Sequence, residues 1–274
     1  MSAADRCGLA LIGSELRLVF TRRRNQAILA VLAVLPIVIA VAVRASRHPD
    51  RGGDLFGNVT DNGVFVAFAA LAAVLSFFLP LATAVVAGDA IAGEASAGTL
   101  RYLLVVPVSR TRLLAVKYLS VLVWCLASTT LVALVGLLIG LALFGAAPVT
   151  LLSGTSVPVG AAIGRLALVV LYVSAMMAVI GGIGIFASTL TEVPLAAMAA
   201  TLALVVVSEV MDTVPQLARL QPWLPSHYWL DFADLLRTPM RFDNLQHGAL
   251  VGLGYLAVCG SAAWARFSGQ DVTS

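Results

Sequence analysis

The sequence predicts an all-α, polytopic membrane protein with about six transmembrane helices, and three observations predict it. Charged residues make up only 11% of the chain while 60% is hydrophobic, about half the charge that a soluble domain of this size carries. The apolar residues fall in long runs rather than in half-buried stripes, and a run of about 18 or more reads as a membrane helix. Only helices or a closed barrel satisfy every backbone group in lipid, and these runs exceed a barrel strand's length and lack its alternation.

Six runs carry the pattern, at 27–43, 64–87, about 119–144, about 166–187, 193–210 and about 249–263. The first and fifth are short, so their ends are soft by several residues. The first follows the basic stretch 21–25 and contains Pro36. A long preceding region and the lack of a clear A-x-A site after it make it an uncleaved helix rather than a signal peptide. The second has no breaker between Pro80 and Gly88 and is expected to continue past the bilayer. Polar residues 188–194 separate runs four and five and end on Pro194, where a proline suits the first turn of a new helix.

Six crossings put both ends of the chain on one side. The Arg22–Arg24 cluster beside the first run marks that side as cytoplasmic, because basic residues next to span ends set topology. That side carries ten of the 17 Lys and Arg, the other seven. The net charge of +3 is thereby assigned to topology, and no nucleic-acid partner is expected. Localisation in the cell membrane with both termini cytoplasmic follows.

Two segments outside the runs have a pattern of their own. In residues 1–26, Leu9, Ile12, Leu16, Val19 and Phe20 form an apolar helical stripe with Glu15 and Arg17 off it, which predicts an amphipathic helix lying in the inner interface. Residues 211–247 hold Pro215, Pro222, Pro225 and Pro239 together with Trp223, Tyr228 and Trp229. There Trp229, Phe232, Leu235 and Leu236 share one helical face opposite Asp231, Asp234 and Arg237. Short helices on or dipping into the outer leaflet are expected, with aromatic rings at headgroup level.

Several chemistries are excluded or unsupported. A phosphate-cradling loop needs G-x-x-x-x-G-K-[ST], and the single lysine, Lys117, is preceded by Ala-Val and followed by Tyr. His48, His227 and His247 have no metal-ligand spacing, so no metal site is predicted. Cys7, Cys125 and Cys259 imply no disulfide framework. Gly154-Thr-Ser156 continues as Val-Pro and is not a nucleophile elbow. No ladder of carboxylates runs through the spans, where Glu209 is the only candidate. No catalytic residue is assigned, and the chain is not read as an enzyme.

The informative stretch is 88–112, after the second run. Gly98 ends or bends the helix, Thr99 can cap a short helix from Leu100 to Val105, and Pro107 stops it. Ser109 then caps a third helix that can reach Phe144, roughly 50 Å against a bilayer core of about 30 Å. Two overreaching helices would hold a short crossing helix at their tips. Glu94, then Gly98-Thr-Leu-Arg101, then Leu103-Leu104, then Pro107-Val-Ser-Arg110 resembles the signature loop of ABC-2-type ABC transporter permeases. The likeness is specific over 88–117, and the six-run layout with a long last outer loop extends it loosely over most of the chain.

That resemblance implies a permease subunit of an ATP-driven exporter. It implies that two permease chains pair, as homodimer or heterodimer, and that each docks a separate ATPase subunit through the crossing, or coupling, helix. Glu94, Gly98, Thr99, Arg101 and Arg110 would lie at or near that contact. ATP and magnesium would belong to the partner, with no cofactor in this chain. It also implies that the N-terminal segment is an interfacial elbow helix. Residues 1–274 then form one transmembrane domain, with 1–26 as elbow, 88–112 as coupling loop and 211–247 as extracytoplasmic loop.

Competing classes are an ion-coupled secondary carrier, an intramembrane enzyme and a structural membrane subunit that moves nothing. The carrier would want buried ionisable residues and broken helices near the midplane. The enzyme would want His, Asp or Ser clusters inside the runs. Phe65, Phe68, Phe77 and Phe78 suit a hydrophobic or amphipathic, drug-like or lipid-like substrate, and equally suit lipid or helix contact.

Overall fold

The structure, a computed structural model, describes residues 3–45, 62–98, 110–151 and 153–269. Helix α1 (Ala3–Thr21) turns at Arg22 into α2 (Arg23–Ala45), and α3 (Gly63–Leu75) and α4 (Phe78–Ser96) follow. Next come α5 (Arg110–Phe144), a hairpin of β1 (Val149–Thr150) and β2 (Ser156–Val157), α6 (Val159–Leu190) and α7 (Pro194–Asp212). Three 3-10 helices (Pro215–Leu217, Gln221–Trp223 and Trp229–Leu236) lead into α8 (Asp243–Gly269). Helices α2, α4, α5, α6, α7 and α8 are long and apolar enough to cross a membrane. The all-α polytopic class is therefore the observed one, and the two-residue strands are its only sheet among the described residues.

The second run departs from expectation. It is two helices, broken at Ser76 and Phe77, where Phe77 adopts φ −140° and ψ −53°. Pro80 is the cause. It has no N–H for the Ser76 carbonyl, and its ring would collide with that carbonyl in a continuous helix. The helix restarts so that Pro80 falls in its first turn, where no donor is needed. Contacts along α5 show that α3 and α4 still make one crossing. Gly63 lies against Gly140, Ala67 against Gly136, Thr83 against Cys125, and Glu94 against Lys117.

The same bookkeeping places the ends. Arg110 Nη1 donates to the Phe267 carbonyl (3.1 Å), while Glu15 pairs with Lys117 and Arg24 with Asp89, so the last turns of α1, the starts of α2 and α5 and the ends of α4 and α8 share one end of the bundle. At the opposite end Arg44 donates to the Leu143 carbonyl (3.1 Å). There Arg165, only 9% exposed, donates to the carbonyls of Leu235 and Arg237, both at 2.9 Å. It thereby caps the last 3-10 helix, whose Trp229, Phe232, Leu235 and Leu236 are buried as their shared face predicts. Pro194 occupies the first turn of α7, also as expected.

Helices α4 and α6 form the core, with 67% and 72% of their most apolar windows buried, whereas α2, α7 and α8 bury only 17%, 22% and 17%. The last three therefore present their apolar sides outward. Close approach in the core uses glycine where two backbones touch. A Cβ on Gly63 would sit 2.5 Å from the Gly140 carbonyl carbon and oxygen. Of the three G-x-x-x-G pairs among the described residues, 136/140 packs on α3 and 248/252 on Tyr228 and Val179, while 160/164 meets nothing within 4 Å.

Candidate functional site

The loop stems come together through an ionic cluster built on α5. Lys117 lies two turns into that helix, on the face that also carries Leu113, Ser120, Val121 and Trp124, all buried. Its side chain is 4% exposed and ion-pairs with two carboxylates, Glu15 of α1 at 2.8 Å and Glu94 of α4. A buried ammonium needs such partners, because removing it from water unpaired costs several kcal/mol. Its flexible stem and three donors let one lysine serve both.

Helix α1 is held to this cluster by local chemistry. The chain turns at Arg22, and Asn25 Nδ2 donates back to the Val19 carbonyl (2.8 Å), Gln26 Nε2 to the Phe20 carbonyl (3.2 Å). Phe20 then meets Trp124 of α5 with ring centroids 5.7 Å apart. Glu15 is not off the stripe, as the sequence pattern suggests. It is 8% exposed and lies on the buried face with Val19, because Lys117 draws it there. Next to it, Asp89 of α4 receives both Arg22 and Arg24, the latter at 3.0 Å.

One turn earlier in α4, a side chain enters the backbone ladder. Ser188 of α6, 1% exposed, donates to the Gly88 carbonyl (2.8 Å) and accepts from the N–H groups of Ile91 (3.1 Å) and Ala92 (2.8 Å). Its hydroxyl thus bridges the carbonyl and amide that an uninterrupted helix pairs directly, a recognised cause of local bending. Gly184 allows the approach, since a Cβ there would meet Ala87 of α4 at 2.7 Å, while Gly88 makes room for α7, where a Cβ would meet Met198 at 2.8 Å.

Glu94, expected at a partner contact, is thus part of the internal ionic cluster, with its side chain 12% exposed. Gly98 follows the end of α4 with φ +67°, a left-handed conformation that a side chain disfavours. Its N–H bonds the Ala95 carbonyl (3.0 Å), so the reading of Gly98 as the residue that ends the helix is correct. Arg110 reaches the C-terminal turn of α8, where a cation complements the carbonyl end of the helix. Thr99, Arg101 and the expected crossing helix 100–105 lie outside the described residues.

Sequence reasoning missed Lys117, Glu15, Asp89 and Ser188. The available signal was Lys117 itself, a single lysine on an otherwise apolar helical face. No group of three His, Cys, Asp or Glu able to hold a metal occurs among the described residues. What the cluster can do is mechanical: one lysine joins the two helices that flank 99–109 and ties both to α1.

The model for ABC-2 family transporter proteins matches residues 10–236, from α1 through the 3-10 layer. The chain belongs to this family. As an ABC-2 protein it is a membrane component of an ABC transporter, a multi-pass permease, and α8 lies beyond the matched range. No curated protein matches the chain.

Proposed function

We propose that this ABC-2 permease works with a separate ATP-binding subunit and a second permease chain to export a hydrophobic or amphipathic, drug-like or lipid-like substrate across the cell membrane. ATP and magnesium bind on the partner, and both termini lie in the cytoplasm. The observation that carries the reading is the Lys117 junction. A loop that receives force from a partner needs stems that move as one body. Here the α4 stem, the α5 stem and the elbow meet at a single buried cation. We assign the contact to Gly98, Thr99, Arg101 and Arg110, with Glu94 at or near it through the stem behind them.

Co-expression with its ATPase partner should yield a complex of two permeases and two ATPases, whose ATPase rate responds to Arg101→Ala but not to the control Arg266→Ala. Equal behaviour of the two variants at full expression would remove the loop from the contact. Single cysteines at Ser96 and Asn244, both exposed, should label from opposite sides of the membrane. A second reading has an observation of its own. Buried Glu15 and Lys117, with half-buried Glu94, are ionisable groups such as an ion-coupled carrier uses. Transport by the chain alone, abolished by a protonophore and indifferent to ATP, would select that reading instead.

A further inference from the structure

The break between α3 and α4 leaves polar groups in the middle of the bundle. Residues 76–80 lie opposite the part of α5 between Cys125, which meets Thr83, and Gly136, which meets Ala67. That is the centre of the apolar run of α5, a depth that bulk water does not reach. The first N–H groups of any helix lack an intrahelical partner. In α4, Leu81 already donates to the Phe77 carbonyl (2.9 Å), Pro80 has no N–H, and no side chain caps the start at Phe77. The donors left over are the N–H groups of Phe78 and Leu79, and Leu79 is fully buried.

Two buried hydroxyls face the same place from the neighbouring helices. On α6, one row of residues follows α4: Gly181 lies against Thr83, Gly184 against Ala87, and Ser188 enters the ladder at Gly88. Ser174 precedes Gly181 by two turns in that row, which sets it level with the break. On α5, the row of Cys125, Gly136 and Gly140 faces Thr83, Ala67 and Gly63. Thr129 sits in that row one turn beyond Cys125, again level with the break. Thr129 is 0% and Ser174 8% exposed, and neither hydroxyl has a hydrogen-bond partner among the described residues. A buried hydroxyl or amide left unpaired is costly, and here both kinds converge without bonding to each other.

We propose that the break is a binding site for one water molecule, held by the N–H groups of Phe78 and Leu79 and the hydroxyls of Thr129 and Ser174. Water accepts two hydrogen bonds and donates two, which matches two N–H donors and two hydroxyl oxygens. An ion does not fit, because no charged residue occurs in 63–88, 118–144 or 166–191 to balance it. The molecule does for the break what the Ser188 hydroxyl does further along α4: it bridges groups that a continuous helix leaves no gap between. The second span thereby stays divided at mid-membrane with its backbone satisfied. The site rests on this chain's fold and not on the transport reading.

The test uses the purified full chain in nanodiscs. Thr129→Val and Ser174→Ala remove the hydroxyls with little change of shape. With the water in place, each variant should lower the melting temperature by several degrees, because buried N–H groups lose their bridge. The double variant should lose little more than either single one, since both break the same bridge. At a dry site the same changes delete unpaired polar groups, and a melting temperature unchanged or raised in both variants would overturn the proposal. X-ray radiolysis adds a readout independent of stability, because hydroxyl radicals formed from a bound water oxidise the side chains beside it. Leu79 should be oxidised in the native chain several times faster than Leu71, which is equally buried two turns away. Thr129→Val should bring Leu79 down to the Leu71 rate. Where a variant fails to fold, the native chain decides: Leu79 oxidised no faster than Leu71 would overturn the assignment.

Discussion

Replacing Lys117 by Met keeps the length of the side chain and removes its charge. Glu15 and Glu94 would then face each other with side chains 10% and 12% exposed and no shared cation. Breaking a buried ion pair by deleting one partner costs about 3–5 kcal/mol, most of it the charge left behind. Here two carboxylates are left, so Lys117→Met should fall at the upper end of that range, a large share of a typical total stability of about 5–15 kcal/mol. The cheapest relief is to undock α1, which gives up Val19 and the Phe20–Trp124 contact. Two assays read this out in the purified protein: melting temperature, and limited trypsin cleavage at Arg17 and Arg22–Arg24. Glu15→Gln alone leaves a one-to-one pair and should cost far less. Combining Lys117→Met with Glu15→Met and Glu94→Met should recover most of the loss, because an apolar replacement for a buried ionic group is often neutral or better. A Lys117→Met protein within about 0.5 kcal/mol of native, the ordinary surface value, with unchanged cleavage, would refute the junction.

Three further outcomes follow from particular contacts. Gly63→Val should cost about 1–3 kcal/mol or more by overpacking α3 against α5, while Gly160→Ala, with nothing within 4 Å, should be neutral; similar melting temperatures for both would contradict the packing. Ser188→Ala should strand backbone groups at Gly88, Ile91 and Ala92, at about 1–3 kcal/mol. It should be seen as faster amide exchange over 88–98, and native-like exchange there would dismiss the inserted hydroxyl. Burial, reinforced by the neighbouring Asp234 charge, raises the Asp231 carboxyl above its ordinary value of 3.8. A raised carboxyl stabilises the fold fully below the ordinary value and loses that stabilisation as pH rises through the folded one. Amide protection over 215–241, corrected for the intrinsic base-catalysed exchange rate, should therefore rise from neutral to mildly acidic pH, and Asp231→Asn should flatten that rise.

The features legible in the sequence are the ones decided locally. Run length decides a span, proline at Pro194 decides a helix start, and a shared face at Trp229, Phe232, Leu235 and Leu236 decides a buried side. Gly98 belongs with them, since its left-handed turn is set by its own backbone. Pro80 was visible too, but its effect falls one turn upstream, at Ser76 and Phe77, so the break was missed where the proline was noticed. The junction was not legible because Glu15, Glu94 and Lys117 meet across separations of 102 and 23 residues. From the stripe alone Glu15 counts as solvent-facing; only the tertiary partner reverses it. The G-x-x-x-G pairs fail for the same reason, as an identical pattern is a backbone contact at Gly140 and open space at Gly160.

The interior of the chain also constrains where a substrate can pass. Trp124, Leu71, Leu75, Leu79, Val121, Met177 and Ile180 are fully buried between α3, α4, α5 and α6, so among the described residues the centre of a single copy is close-packed. The outward-facing helices are α2, α7 and α8, with Val38, Val41, Leu195, Val207, Leu250 and Val258 more than half exposed. Under the proposed function, a route for a hydrophobic or amphipathic molecule would lie on that outer surface, enclosed by the second permease chain. The ionic junction is well placed to move such a wall. Lys117 ties the loop stems to α1, and α1 continues through the single residue Arg22 into α2. A displacement at 99–109 thus has a short rigid path, through α5 and the elbow, to one of the three exposed spans, without repacking the buried centre.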